Sequence, residues 1–183
     1  AEATELAEEA VALKALIESL GVDKWTCHLD LHETTDADEA EYRPAAAARD
    51  GELHVPEMVP DGFYLVADAP ARALLLADDD DCVVSKPAWL AAIVQAVSKV
   101  THIAEEGEDR MLAGMPVVQP GVVAVPTRSL GVAAAMTNAP YAATTEVYPD
   151  SQRVSDAGQC NRAQVAACLA ALNHVIEEEG LLV

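Results

Sequence analysis

Cys27-His28-Leu29-Asp30-Leu31-His32-Glu33-Thr34-Thr35-Asp36 reads as a short buried strand that ends in metal-capable side chains. Side chains alternate across a strand, so His28, Asp30 and His32 share one face and Leu29 and Leu31 the other. Leaving such polar groups buried without partners costs roughly 1–3 kcal/mol each, so they are expected to pair or to hold something. Far downstream, Ala142-Ala143-Thr144-Thr145-Glu146-Val147-Tyr148 carries a carboxylate in the middle of a second strand-like run. A histidine at one strand end and a glutamate inside another are raw parts of metal-assisted hydrolysis.

Outward from these strands, helices and strands alternate. Leu6, Val11, Leu13, Leu16, Ile17 and Leu20 recur on a helical period over 2–20, and Gly21 is placed to stop that helix. The strand that holds His32 spans about 25–32. Residues 33–60 are rich in Asp, Glu, Pro and Gly, and they read as a long, functional loop with one short helix. Phe63–Ala67 is a strand, Asp78–Asp81 a surface tip, and Pro87 opens a helix to about Val100 with Trp89, Ile93, Val94 and Val97 inward. Val122–Val125 and Val132–Met136 read as further strands. The strand around Glu146 ends at Pro149, and a last helix over 161–178 carries Val165, Cys168, Leu169, Leu172 and Ile176 as its stripe. This order predicts one α/β domain over 1–183, a mixed central sheet flanked by helices.

At 183 residues and 51% hydrophobic, the chain can bury a sizeable core. Thirty-one acidic against 11 basic residues give a formal charge of −20, which excludes nucleic acid and anionic lipid as default partners. The acids serve equally as a solubilising face or as a surface that stays hydrated at high salt. No run approaches the ~18 apolar residues of a membrane span, and the acidic start is wrong for a secretory signal. A cytoplasmic setting is the expectation. The four cysteines, Cys27, Cys82, Cys160 and Cys168, lack Cys-x-x-Cys spacing and read as reduced thiols.

Asp30-Leu31-His32-Glu33 and Thr145-Glu146-Val147-Tyr148 resemble the zinc metallocarboxypeptidase family, nearest its succinylglutamate desuccinylase and aspartoacylase branch. Arg43-Pro44, Ala48-Arg49-Asp50-Gly51, Pro60-Asp61-Gly62-Phe63-Tyr64 and Cys160-Asn161 extend the resemblance over nearly the whole chain after the first helix. It implies a carboxypeptidase-like fold and an amide hydrolase acting on a peptide C-terminus or an acyl-amino acid. His32 resembles a zinc ligand, and Glu146 the catalytic carboxylate that takes a proton from water and returns it to the leaving nitrogen. Tyr148 falls on the face of Glu146, while His28 and Asp30 are candidates to orient His32.

The family's other zinc ligands form a His-x-x-Glu pair ahead of the Asp-x-His strand, yet no histidine occurs in the first 27 residues. The resemblance thus implies that the chain corresponds to the C-terminal portion of that fold, without its N-terminal part. Three His-x-x-Glu spacings lie downstream, at His54 and Glu57, His102 and Glu105, and His174 and Glu177, at a frequency that so acidic a chain produces by chance. Without the resemblance, Glu146 reads as equally able to pair with Arg43, Arg49 or Arg128. No dinucleotide fingerprint, phosphate loop or nucleophile elbow is present. The rival expectation is a non-catalytic half-fold that assembles as a homo-oligomer or with a missing N-terminal chain, because an incomplete sheet exposes an edge.

Overall fold

The computed structural model describes residues 8–56, 59–69, 84–131 and 133–181. Its strands are β1 (Cys27–Glu33), β2 (Tyr64–Asp68), β3 (Met111–Leu112), β4 (Met115–Gln119), β5 (Val122–Val125) and β6 (Tyr141–Val147). They form one six-stranded sheet in the order β1-β6-β2-β5-β4-β3. β1 runs parallel to β6 and β2 parallel to β5, while the β6–β2, β5–β4 and β4–β3 pairs are antiparallel. The helices are α1 (Glu8–Ser19), α2 (Arg43–Asp50), α3 (Pro87–Val97), α4 (Thr127–Leu130) and α5 (Gln159–Glu178). The chain is therefore α/β, with a mixed sheet flanked by helices, as its element order predicts. Among the described residues, no helix is long and apolar enough to cross a membrane.

One face of the sheet carries the main core. Leu65, Ala67, Val122, Tyr141 and Ala143 project from it against α3 and α5. Pro87 occupies the first turn of α3, where its missing N–H is no loss. Trp89, Leu90, Ile93 and Val97 then fall on the buried side. The Trp89 ring meets Tyr141 edge-on at 5.7 Å, and its Nε1 donates to the Ala171 carbonyl at 3.1 Å.

Two helical faces differ from expectation. On α5 the buried side is Ala163, Ala167, Ala171 and Val175, while Val165, Leu169 and Leu172 are exposed. The two sets share a helical period, and the alanines win because small side chains let α5 lie close to the sheet and to α3. On α1 no described side chain is buried, and Val11, Leu13 and Leu16, with Leu20 just past its end, face solvent.

Residues 133–136 form a 3-10 turn, not a strand. Its alanines lack the β-branching that favours a sheet. Conversely, no alternation in the sequence marks β3 and β4. They form a hairpin around Ala113 and Gly114, both at positive φ (52° and 69°), the backbone that a two-residue turn between twisted strands demands. β1 is an edge strand, half-buried through Asp30 and exposed from Leu31 onward, so the buried strand read from its sequence is corrected to a sheet edge. Between β1 and β2, a π-helical turn over Asp38–Tyr42 runs into α2, which closes at Gly51. The acidic run Asp78–Asp81, Leu6, Glu57 and Cys82 lie outside the described residues.

Candidate functional site

The parallel register of β1 on β6 sets His32 beside Glu146 and Asp30 beside Thr144. The antiparallel register of β2 sets Tyr64 on the other side of Glu146. Three strands thus align His32, Glu146 and Tyr64 in a row, on the face opposite the α3–α5 core.

His32 is the exposed member, with 53% of its side chain open to solvent against 13% for Glu146. Its Nε2 lies 3.2 Å from Asp30 Oδ2, and its Nδ1 lies 3.8 Å from Glu146 Oε1. Thr34 Oγ1 donates to Glu146 Oε2 at 3.1 Å. Burial is the main force on Glu146 and pushes its carboxyl above the ordinary carboxylate range, against the pull of His32 and Thr34. The hydrogen bond that His32 Nε2 donates to Asp30 holds the imidazole above its usual value, and the same contact lowers Asp30. Tyr64 is buried, and desolvation reinforced by the Glu146 charge pushes its phenol up to about 12. The site therefore offers a shielded carboxylate beside an accessible imidazole.

The surroundings fix that geometry. Thr34 N donates to the Val147 carbonyl at 2.9 Å and Asp36 N to Asp150 Oδ2 at 2.9 Å, which ties the exit of β1 to the exit of β6. Tyr148 Oη donates to Asp36 Oδ1, so Tyr148 is held by that carboxylate past the end of the strand. On the α5 side, Gln164 accepts from Thr145 Oγ1 at 2.6 Å and donates to the His32 carbonyl at 2.9 Å. His28 Nδ1 is engaged with Thr137 Oγ1 at 3.0 Å, so Asp30 rather than His28 orients His32.

Of the remaining spacings, His102 and Glu105 separate in space, whereas His174 and Glu177 stand three residues apart on α5. His102 bonds Asp61 at 3.0 Å, whereas Glu105 faces Arg153 at 3.8 Å. His54 pairs with Glu39 at 2.9 Å. Arg49 pairs with Asp50 and Arg128 with Asp68. Cys27, Cys160 and Cys168 are free thiols, and burial pushes Cys27 up to about 11.

Among the described residues, no group of three His, Cys, Asp or Glu side chains is arranged to hold a metal ion. The donors fit part of a zinc site, one accessible imidazole with a shielded carboxylate alongside, and not a closed set of three protein ligands. Thr34 and Tyr64 complete the surroundings of Glu146, and neither stands out in the sequence. Thr34 lies two residues past His32, but only the three-strand register reveals what it touches. Neither a protein-family model nor a curated protein matches the chain.

Proposed function

We propose that this chain carries the C-terminal portion of a zinc-dependent amide-hydrolase site of the metallocarboxypeptidase kind, acting on a peptide C-terminus or an acyl-amino acid. The observation that supports this reading is the His32–Glu146 pair, two residues 114 positions apart in sequence that register as neighbours on one face. His32 would hold the ion through a ring nitrogen, with the remaining ligands supplied from outside the described residues. The ion would supply a Lewis acid that polarises the amide carbonyl and acidifies water.

Glu146 is suited to proton transfer because burial raises its affinity for a proton toward working pH. It accepts the proton of the attacking water on Oε1 and returns it to the leaving nitrogen. Thr34 holds Oε2, which keeps Oε1 turned toward His32. Asp30 accepts from Nε2, which orients the imidazole and, once the ring is neutral, leaves the Nδ1 lone pair for an ion. The free thiols support a reducing, cytoplasmic setting.

A second reading, a non-catalytic unit that assembles with itself or with another chain, draws support from a specific observation. The edge strand β1 and the neighbouring outer face of α5 leave Leu31, Val165, Leu169 and Leu172 all between 48% and 57% exposed. Elemental analysis of the purified chain and of His32→Ala separates the readings. Close to one zinc per chain, lost on substitution, together with amide hydrolysis abolished by Glu146→Gln, is the expected result. A zinc-free, inactive oligomer would establish the second reading instead.

A further inference from the structure

A cavity of about 610 Å³ lies between the β3–β4 hairpin and the segments that precede β2 and follow β6, away from His32. Its size falls within the few hundred to a thousand Å³ of small-molecule sites. The lining is divided by chemistry. Val59, Pro60, Met111 and Leu112 are apolar, and of these Pro60 and Leu112 are buried. Asp61, Glu105, Asp109 and Arg153 are exposed and charged around them.

The charged groups are held in place. Asp61 Oδ1 contacts His102 Nε2 at 3.0 Å, and Ser151 Oγ lies 3.3 Å from the same nitrogen. Asp109 Oδ1 accepts from Met111 N at 3.1 Å. Gly62 lets the Asp61 segment pass this close, because a Cβ there would stand 2.7 Å from Ala104 N and 2.8 Å from His102 Cδ2. Arg153 faces Glu105 at 3.8 Å. Three carboxylates against one guanidinium leave the rim negative, on a chain whose net charge is −20.

We propose that this cavity binds a linear aliphatic amine carrying two positive charges, its methylene stem on Val59, Met111 and Leu112 and its ammonium groups on Asp61, Asp109 and Glu105. An apolar stem alone would leave the net negative charge of the rim in place, and an anion would meet both the rim and the field of the whole chain. A dication offsets the charge that Arg153 leaves uncompensated. The inference concerns binding and stands whether or not the His32–Glu146 site hydrolyses anything.

Isothermal titration of the whole chain at 0.15 M NaCl tests it, with 1,4-diaminobutane as the probe and 1,4-butanediol as its neutral counterpart. Saturable one-to-one binding of the diamine and none of the diol is the expected result. Asp109→Asn, which keeps the acceptor for Met111 N, should weaken the diamine about tenfold, as losing one charge-assisted hydrogen bond does. Glu9→Gln, the same charge change on exposed α1, should leave binding unchanged. Arg153→Gln should tighten it severalfold by freeing Glu105. Equal binding of diol and diamine, equal loss in Asp109→Asn and Glu9→Gln, weaker binding in Arg153→Gln, or no binding at all would each overturn the proposal.

Discussion

Where α3 and α5 cover it, the sheet buries Leu65, Ala67, Val122, Tyr141 and Ala143 at 2% exposure or less. One residue along the same strands, on the opposite face, Tyr64, Glu146, His32 and Asp30 set polar and ionisable groups side by side. The first face stabilises the fold through apolar area removed from water, about 25 cal/mol per Å². The second works against it, since the protein withdraws a carboxylate from water and gives it an imidazole and a hydroxyl in exchange. Period-two alternation lets one set of strands serve both ends, with an apolar core on one side and a row of ionisable groups on the other.

The contrast breaks most visibly on the core side. Trp89→Ala removes the ring that packs on Tyr141 and the bond to Ala171, and should cost about 3–5 kcal/mol in urea unfolding. A loss below 1 kcal/mol would mean that this face is not where the stability lies. Gln164→Ala is the next largest. It strips the 2.6 Å acceptor from the fully buried Thr145 hydroxyl, leaving it only the long contact to the Asp30 carbonyl at 3.5 Å, and removes the donor to the His32 carbonyl, at a cost of roughly 1–3 kcal/mol. Adding Thr145→Val should recover much of that loss, and a thermal-melt cycle over the four proteins measures how much.

On the polar face the sign reverses. Glu146 has a folded-state pKa raised above its ordinary 4.5, so the folded protein holds that proton more tightly than the unfolded chain. Stability therefore falls as pH rises through the window between 4.5 and the raised value, and the deficit persists above it. Glu146→Gln keeps the shape and an acceptor for Thr34 while removing the charge. It should stabilise the protein at pH 7 by on the order of 1 kcal/mol, and by nothing at a pH below 4.5, where both states of the native chain carry the proton. Unchanged melting at pH 7 would remove the claim that this face holds its carboxylate at a cost.

How far each face can be read from the sequence follows the same division. His32 and Glu146 are visible because an acid or an imidazole inside an apolar strand has no cheap explanation. Their neighbours are not, since the parallel pairing of β1 with β6 joins segments separated by four intervening strands, and no local pattern encodes it. The α5 stripe misleads because Ala163, Ala167 and Ala171 carry little hydrophobic weight individually, although they decide how closely the helix can pack. The β3–β4 hairpin stays hidden because a two-residue strand and Pro116 leave no alternation to count, and only its turn geometry betrays it.

The smallest expected effect bears most directly on chemistry. Asp30→Asn removes the hydrogen bond that holds the His32 imidazole above its usual 6.5. In the native chain that pair is intact between the lowered pKa of Asp30 and the raised pKa of His32. The part due to His32 is fully present below pH 6.5 and is lost as pH rises through its folded-state value, and the part due to Asp30 is lost as pH falls through its own. With half of the His32 side chain in solvent, its contribution to stability is screened to about 0.5 kcal/mol or less, so melting is a poor probe. Its titration, followed through the imidazole proton resonances, is a good one. The midpoint should fall toward 6.5 in Asp30→Asn, while Thr137→Val, beside His28, should leave it in place. The same shift lowers the pH at which His32 becomes a neutral donor, so if His32 holds zinc as proposed, uptake by the variant should begin at lower pH than in the native chain. If the midpoint stays where it is, Asp30 is a bystander, and Glu146 alone sets the charge on the imidazole.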